Sequence, residues 1–215
     1  LKSLDLTSIN LSGVDLSNQD LTGTILLHAN LSDVNLTGVN LKSLDLTSIN
    51  LSGVDLSNQD LTGTILTYAN LTGANLSGVD LTNKDLMSIN LSEVDLSNQD
   101  LTGTILTYAN LTGANLSGVD LRNKDLTGVN LSGVDLSNHN LSGTILKDAN
   151  KIKINVKKST NPNWSKMISE QNLNITRYDL NDKVQYIATQ DGSLFEIKNN
   201  ELKLILDLKN DSRLN

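Results

Sequence analysis

The stretch LKSLDLTSINLSGVDLSNQDLTGTIL, residues 1–26, decides the fold of this chain, and it returns unchanged at residues 41–66. Leucine occupies every fifth position in it, and this phase runs without an insertion from Leu1 to Leu146, thirty times in all. The residue before each leucine is nearly always Asp or Asn, and the residue two before it is usually small or aliphatic. A strict period of five therefore organises residues 1–150.

A period of five fits neither the 3.6-residue turn of an α-helix nor the simple alternation of a strand. If each unit makes one short extended side and one corner, four units close a square coil of twenty residues. Residues i and i+20 then stack at the spacing of neighbouring strands, and the visible forty-residue period is two coils. Thirty units make about seven and a half coils, a rod roughly 36 Å long.

The repeated unit is a small or aliphatic residue, then Asn or Asp, Leu, Ser or Thr, and Gly, and it resembles the pentapeptide-repeat family over about two-thirds of the chain. The resemblance implies a right-handed quadrilateral β-helix. In that fold the central leucine and the residue two before it point inward, and the other three residues point outward. An unbroken asparagine column, from Asn10 to Asn150 in steps of twenty, is expected to add a ladder of side-chain hydrogen bonds.

The leucine phase stops at Lys151, and a different kind of sequence follows. Asn161-Pro162 is typical of a helix start. In a short helix that begins there, Trp164, Met167 and Ile168 lie on one face, and we predict that this face caps the leucine core. Four strands are predicted at 174–180, 184–189, 193–198 and 201–208, with hairpin turns at Asp191-Gly192 and Asn199-Asn200. This segment weakly resembles one β-propeller blade.

The sequence therefore predicts an all-β chain in three parts. Residues 1–158 form a pentapeptide-repeat solenoid of about 7.5 coils, 159–172 a linker with a capping helix, and 173–215 a small antiparallel β unit, either a standalone sheet or a truncated propeller blade. Because Leu1 is already in phase and is not a methionine, we expect a chain that is processed, engineered or cut from something longer, and the β segment is either a standalone sheet or continues in further propeller blades after Asn215. Localisation stays open between the cytoplasm, which is favoured, and export through a segment preceding Leu1.

Charge and composition narrow the classes of function. Residues 1–150 hold 6 Lys and Arg against 16 Asp and Glu, a formal charge of −10, whereas residues 151–215 hold 11 against 8, or +3. The acidic rod does not predict direct nucleic-acid binding. There is no cysteine and no apolar run long enough for a bilayer, which excludes thiolate sites and a membrane span in this sequence.

No residues suggest catalysis, a metal site or a cofactor. His28 and His139, the only histidines, fall on different columns far apart along the rod, and the many aspartates are single acceptors on regular columns. Neither a nucleophile with a base nor a glycine-rich phosphate loop appears. The sequence therefore predicts a protein that is not an enzyme, with no catalytic residue, no metal ligand and no cofactor.

One outward column breaks the monotony of Ser, Thr, Asn and Asp. At the position before leucine, every second coil carries an isoleucine, and the corner of the same coils carries His28, Tyr68 or Tyr108. Such an ordered apolar row can mark a partner surface, although exposed strand positions also favour these residue types without any binding role. We call this set the Ile/Tyr stripe: Ile25, His28, Ile65, Tyr68, Ile105, Tyr108 and Ile145.

Two inward columns carry unexpected polar residues. Gln19, Gln59, Gln99 and His139 alternate with valines in one, and Lys84 and Lys124 alternate with threonines in the other. A buried lysine without a partner is very costly, and most of these residues follow an asparagine where glycine is otherwise usual. We therefore expect a changed corner that swings the long side chain outward, where Lys84 pairs with nearby aspartates.

Three functions compete. The simplest is a scaffold or protein-binding rod that either meets a protein partner or associates with itself. The family resemblance also implies DNA mimicry, in which an acidic rod binds a type II topoisomerase such as gyrase, although this repeat lacks the phenylalanines, loops and dimerising helix of such relatives. The third is ice or surface binding through the column of Thr47, Thr67, Thr107 and Thr127, which Met87 and Lys147 interrupt.

Overall fold

The computed structural model describes residues 1–136, 139–141 and 143–149 in full, together with the backbone of three strands near the end of the chain. The predicted capping residues Trp164, Met167 and Ile168 lie outside the described residues, and so does the predicted strand at 174–180.

Residues 1–149 coil with a period of twenty. Parallel bridges join Asp5 to Ile25 and Asn10 to Asn30, and the same relationship repeats along the repeat region. The backbone pairs both ways, since the amide of Leu6 donates to the carbonyl of Ile25, and the amide of Ile25 donates to that of Leu4. Four five-residue units therefore make one coil, as the leucine spacing predicts, and each coil adds one rung to a parallel β-helix.

A tight turn closes each five-residue unit. The amide two residues before each leucine donates to the carbonyl of the preceding leucine, as Ile9 does to Leu6 at 3.1 Å. The corner residue of each turn that the structure describes in full has a left-handed backbone, with φ between 56° and 78°. A hydrogen-bonded four-residue turn with positive φ only at its third residue is a type II turn. Glycine suits that position best, and Asn and Asp tolerate it better than most other residues.

The inside of the rod is a stack of aliphatic side chains. Leu51 and Leu91 have no exposed surface, and neither have Ile49 and Ile89 at the position two before leucine. Burying a leucine contributes up to about 1.5–3 kcal/mol, measured against an extended chain. The predicted inward positions are confirmed, and repetition of one small unit supplies the core.

Asparagine side chains stack in a ladder on one side of the rod. Asn30 Nδ2 donates to Asn10 Oδ1 at 3.0 Å, and Asn50 and Asn70 each repeat this bond to the coil before. Each Oδ1 also accepts the amide two residues on, as Asn50 does from Ser52 at 3.1 Å. The predicted ladder is confirmed over these coils, where it ties each turn to the next.

The inward lysines correct the sequence prediction. Lys84 and Lys124 do not swing outward: they are half-buried, and each Nζ donates to a leucine carbonyl twenty-three residues earlier, that of Leu61 at 2.6 Å and that of Leu101. The corners before them are unchanged in type, because Asn83 and Asn123 have φ of 56° and 57°. The physical reason is that the helical stack brings a main-chain acceptor within reach, so the ammonium is not left unpaired.

The other polar residues of the two inward columns use the same acceptor. Thr64 and Thr104 donate to Leu41 and Leu81 at 2.8 Å, and Gln99 donates to Leu76 at 3.1 Å. The buried His139 ring places Nε2 2.7 Å from the carbonyl oxygen of Leu116. A polar side chain in these columns is therefore an interior hydrogen-bonding group, and the expectation of exposed side chains was wrong for all but Gln19 in the first coil.

The forty-residue period has a steric origin at the corners. In one corner column Asn18, Asn58 and Asn98 alternate with glycine, and each asparagine lies over the glycine twenty residues later. A Cβ built on Gly118 would overlap Oδ1 of Asn98. In this column a long side chain occupies the space above the next corner, and glycine leaves that space free.

Three strands form an antiparallel sheet near the end of the chain. They are β1 (Val184–Ala188), β2 (Ser193–Lys198) and β3 (Glu201–Asp207), in the order β1-β2-β3. The register pairs Ser193 with Asp207 and Lys198 with Glu201, with a shift between Leu194 and Phe195. These strands fall where the alternating pattern predicts them, and the predicted turns lie outside the described residues.

Candidate interaction surface

The isoleucines of the Ile/Tyr stripe lie half-exposed along one face of the rod. Their exposed fractions are 51% for Ile25, 47% for Ile65, 48% for Ile105 and 49% for Ile145, while core isoleucines such as Ile49 are fully buried. Each is bridged to an aspartate in the preceding coil, as Ile65 is to Asp45. Two coils separate successive isoleucines, a spacing of about 9.6 Å.

Aromatic side chains flank the isoleucines at the corners. Tyr68 and Tyr108 are 55% and 61% exposed, and His28 is exposed as well. All three occupy the left-handed region, with φ of 61°, 62° and 57°. A bulky residue at positive φ is uncommon because its Cβ crowds the backbone. The left-handed backbone therefore does not favour an aromatic ring at these corners, and the ring of Tyr108 lies over Gly128 in the next coil.

Carboxylates occupy the coils between the isoleucines. Asp45, Asp85 and Asp125 alternate with Ile65, Ile105 and Ile145 in the same column. Oδ1 of Asp45 accepts the amide of Thr47 at 3.0 Å and its hydroxyl at 2.6 Å. Among the described residues, no lysine or arginine forms an ion pair with these three carboxylates.

A second acidic column differs because cations pair with three of its aspartates, Asp20, Asp60 and Asp120. Lys42 Nζ lies 2.7 Å from Asp60 Oδ2, and Arg122 lies 2.5 Å from Asp120. The hydrogen bond from Lys42 holds the pKa of Asp60 well below its usual range, and that from Arg122 lowers the pKa of Asp120 to about 2. In the described part of the chain, Asp45, Asp85 and Asp125 beside the Ile/Tyr stripe form no such ion pair, a property they share with Asp15, Asp55 and Asp95 on another column.

The half-buried Lys84 and Lys124 interact electrostatically with aspartates of that second column. Hydrogen bonds from Thr82 lower the pKa of Asp80, and the positive charge of Lys84 adds to this effect. Burial lowers the pKa of Lys124, although Asp100 and Asp120 oppose the shift. The prediction that Lys84 pairs with nearby aspartates was wrong: its hydrogen bond goes to the carbonyl of Leu61, and only its charge acts on Asp80.

Sequence reasoning missed three features of the stripe face. Leu27 and Met87 follow the central leucine on this face and are half-buried, which extends its apolar surface. The acidic rows between the isoleucines were treated as background rather than as part of the surface. The signal was present, because Leu27 and Met87 stand in a column that otherwise holds mostly threonine.

Residues suited to metal binding are not brought together in the described part of the chain. No group of three or more His, Asp or Glu side chains there has the arrangement to hold a metal ion. His28 is exposed at a corner and His139 is buried in a later coil, so they do not share a site. Within the same residues, no helix is long and apolar enough to cross a membrane.

Comparison with known proteins agrees with this geometry. The family model described as pentapeptide repeats matches in 8 copies, at residues 1–38, 9–46, 45–83, 85–123 and 125–150. The chain belongs to the pentapeptide-repeat family. The resemblance predicted from the repeated unit is confirmed, and no curated protein matches the chain.

Several solved structures are similar to this pentapeptide-repeat chain. HetL, involved in heterocyst differentiation regulation in the cyanobacterium Nostoc sp. strain PCC 7120, is 27% identical over 72% of this chain and 86% of its own, with a TM-score of 0.24. Rfr23 from the cyanobacterium Cyanothece 51142 is 29% identical over 67% and 89%, with a TM-score of 0.20. A trypsin-treated variant of QnrB1, a plasmid-mediated fluoroquinolone resistance protein, is 20% identical over 77% and 86%, with a TM-score of 0.42.

Proposed function

We propose that this chain is a non-enzymatic scaffold whose repeat region binds a protein partner through the Ile/Tyr stripe. The observation that carries the proposal is the row of half-exposed isoleucines, Ile25, Ile65, Ile105 and Ile145, at one regular spacing. An ordered row of exposed apolar side chains can mark a partner surface. Aromatic anchors beside it, Tyr68 and Tyr108, are the residue type most enriched at interfaces.

The rod suits a scaffold because its surface is fixed by its core. Each coil is held by main-chain bonds to both neighbours and by the asparagine ladder. Side chains on one column therefore keep a constant spacing, so a partner meets a preformed surface and little entropy is lost on ordering it. A rigid array of this kind spaces or presents other groups, which needs no catalytic residue.

We also propose the handedness of the coil, the number of coils and the division of the chain into three parts. The proposed architecture comprises a right-handed quadrilateral β-helix of about 7.5 coils over residues 1–158, a linker with a capping helix over 159–172, and a small β unit over 173–215. Support comes from family membership for the first part and from strands β1 to β3 for the last.

The two other functions have less support. The formal charge of −10 over residues 1–150 suits DNA mimicry, but the repeat lacks the phenylalanines and loops of such relatives, and Lys2, Lys42 and Arg122 pair with aspartates of one column. Ice or surface binding needs a flat face of free hydroxyls, yet the hydroxyls of Thr47 and Thr127 donate to Asp45 and Asp125. Gyrase inhibition and thermal hysteresis assays test these two functions directly.

A selection from a displayed library of random peptides tests the proposed function without a known partner. The full chain serves as bait beside two triple variants. The first replaces Ile25, Ile65 and Ile105 with Asp, and the matched control replaces Ser17, Ser57 and Ser97, on another outward column, with Asp. Both add the same charge, and circular dichroism with thermal melting verifies the fold.

The stripe hypothesis predicts that peptides enriched on the wild-type chain keep binding to the serine variant and lose binding to the isoleucine variant. Peptides that bind both variants equally would place the preferred surface elsewhere and overturn the proposal.

A further inference from the structure

We propose that the partner of the Ile/Tyr stripe is a basic amphipathic α-helix that lies along the rod, with aliphatic and cationic side chains alternating at half-heptad intervals. This inference rests on the proposed function and names the chemistry of the partner.

Alternation on the stripe face sets the first requirement. Ile65, Ile105 and Ile145 are separated by Asp85 and Asp125 in the same column, so apolar and acidic rows follow one another at one-coil intervals. A complementary surface must place an aliphatic side chain every second coil and a cation in the coils between. The chemistry of the partner is therefore alternating, rather than uniformly apolar or uniformly basic.

Charge sets the second requirement. Oδ1 of each interleaved aspartate accepts a bond from two residues on, as Asp85 does from Met87 at 3.0 Å, so the carboxylate is held in place. Within residues 1–136, no cation pairs with Asp45, Asp85 or Asp125, in contrast to Asp60 and Asp120 on the neighbouring column. A partner that supplies lysine or arginine gains these charge-assisted contacts.

The same observation argues against a second copy of the rod as the occupant. Residues 1–150 have a formal charge of −10, and the stripe faces of two rods would bring acidic rows close together. Juxtaposed like charges oppose association, and no cation on the face is placed to relieve them in each acidic coil.

The spacing fits an α-helix that lies along the rod. Along an α-helix, residues seven apart lie on one face at about 10.5 Å, within about 1 Å of the two-coil spacing of about 9.6 Å, and flexible side chains absorb this difference over three repeats. Helix residues three or four apart lie on the same face at about the one-coil spacing. A long cationic side chain at such a position reaches the carboxylate of Asp85 or Asp125, which lies between two isoleucines. In an extended strand along the rod, same-face residues recur at about 6.8 Å, which does not match.

Fluorescence anisotropy with designed peptides tests the inference on the full chain. The probe is a helical peptide of about 24 residues, the length of the rod at 1.5 Å per residue. It has leucine at every seventh position, arginine midway between, and an alanine and glutamine background. The control peptide has the same composition, with leucine and arginine segregated to opposite faces. Measurement at about 0.15 M salt screens unspecific attraction to the acidic rod.

Two triple variants of the chain complete the test. One replaces Asp45, Asp85 and Asp125 with Asn, and the other replaces Asp15, Asp55 and Asp95, on another column, with Asn. Asparagine keeps the Oδ1 acceptor, so both variants preserve the local turns while removing equal charge.

We expect the alternating peptide to bind the wild-type chain at least tenfold more tightly than the segregated peptide. The first variant should weaken that binding about tenfold, and the second by no more than about twofold. Equal affinity for the two peptides, or equal loss in both variants, would show unspecific charge attraction and overturn the inference.

The inference and the proposed function fail in distinguishable ways. If library peptides depend on the stripe isoleucines while the alternating helix binds no better than its control, the stripe is a binding surface for another kind of partner. If sedimentation shows a wild-type dimer that the isoleucine variant dissociates, the occupant is a second copy, and the helix inference is wrong.

Discussion

The Nζ atom of Lys84 donates a 2.6 Å hydrogen bond to the carbonyl oxygen of Leu61, twenty-three residues earlier in the chain. Thr64 and Thr104, in the same column, donate to the equivalent carbonyls of Leu41 and Leu81. One acceptor position in the stack thus serves a hydroxyl or an ammonium. The column tolerates any residue that can donate to it, as well as the apolar Leu44.

Replacing Lys84 with Thr or Val tests this acceptor. Thr supplies a donor and Val has nearly the same shape without one, so K84T should be more stable than K84V by about 1 kcal/mol. Equilibrium urea unfolding measures the difference. Equal stability of the two variants would show that the bond to Leu61 contributes nothing.

The asparagine ladder predicts a graded response at Asn50. Alanine removes the bonds with Asn30, Asn70 and Ser52, whereas aspartate keeps an acceptor for the last two. We expect N50A to lower the free energy of unfolding by about 1–3 kcal/mol and N50D by less. The rod already uses aspartate in this way, since Asn75 donates to Asp55. If N50A unfolds at the same urea concentration as the wild type, the ladder is not stabilising.

Glycine substitutions separate the cost of positive φ from the cost of crowding. Gly73 and Gly118 have φ of 63° and 77°, but a Cβ would have open space at Gly73 and would overlap Asn98 at Gly118. G73A should cost about 1–2 kcal/mol for the left-handed backbone alone, and G118A about 1 kcal/mol more from overpacking. Adding N98A should remove the extra cost. An undiminished penalty in the double variant would refute the steric origin of the forty-residue period.

The pair of Asp120 and Arg122 predicts a specific acid titration. Hydrogen bonds from Arg122 lower the pKa of Asp120 to about 2. Because the folded value is below the unfolded one, this pair contributes stability above pH of about 4, and the contribution is lost as pH falls through the folded pKa. Carboxyl ¹³C NMR should give a midpoint near the predicted value. In R122A the midpoint should rise part of the way to normal, and an unchanged midpoint would show that Arg122 is not the cause.

Much of the fold follows from the leucine phase alone. A leucine at every fifth residue places one leucine side chain from each short side into the core. The return of residues 1–26 at 41–66 is a period of forty residues, which equals two coils of twenty. The corner residues were harder to interpret. Asn83 and Gly103 differ chemically and adopt the same left-handed turn, so their alternation reflects crowding between coils rather than two kinds of corner.

The interior lysines and the stripe show where sequence reasoning stops. The carbonyl that receives Lys84 is twenty-three residues away, an offset that only the stacked coils reveal. The outward position of Ile65 could be predicted from its phase. Among the described residues, Asp45 has no ion pair with a cation. This could not be predicted from the sequence, because it depends on which lysines stay inside the rod.

Methyl NMR of isoleucine-labelled protein tests the central claim most directly, because the chain carries its own control. Ile65 and Ile105 are about half-exposed on the stripe, whereas Ile49 and Ile89 are fully buried in the same rod. On addition of a peptide selected on the wild-type chain, the δ1 methyl signals of Ile65 and Ile105 should shift or broaden, and those of Ile49 and Ile89 should stay in place. Saturating binding that leaves the signals of Ile65 and Ile105 unchanged would contradict the assignment of the Ile/Tyr stripe as the binding surface.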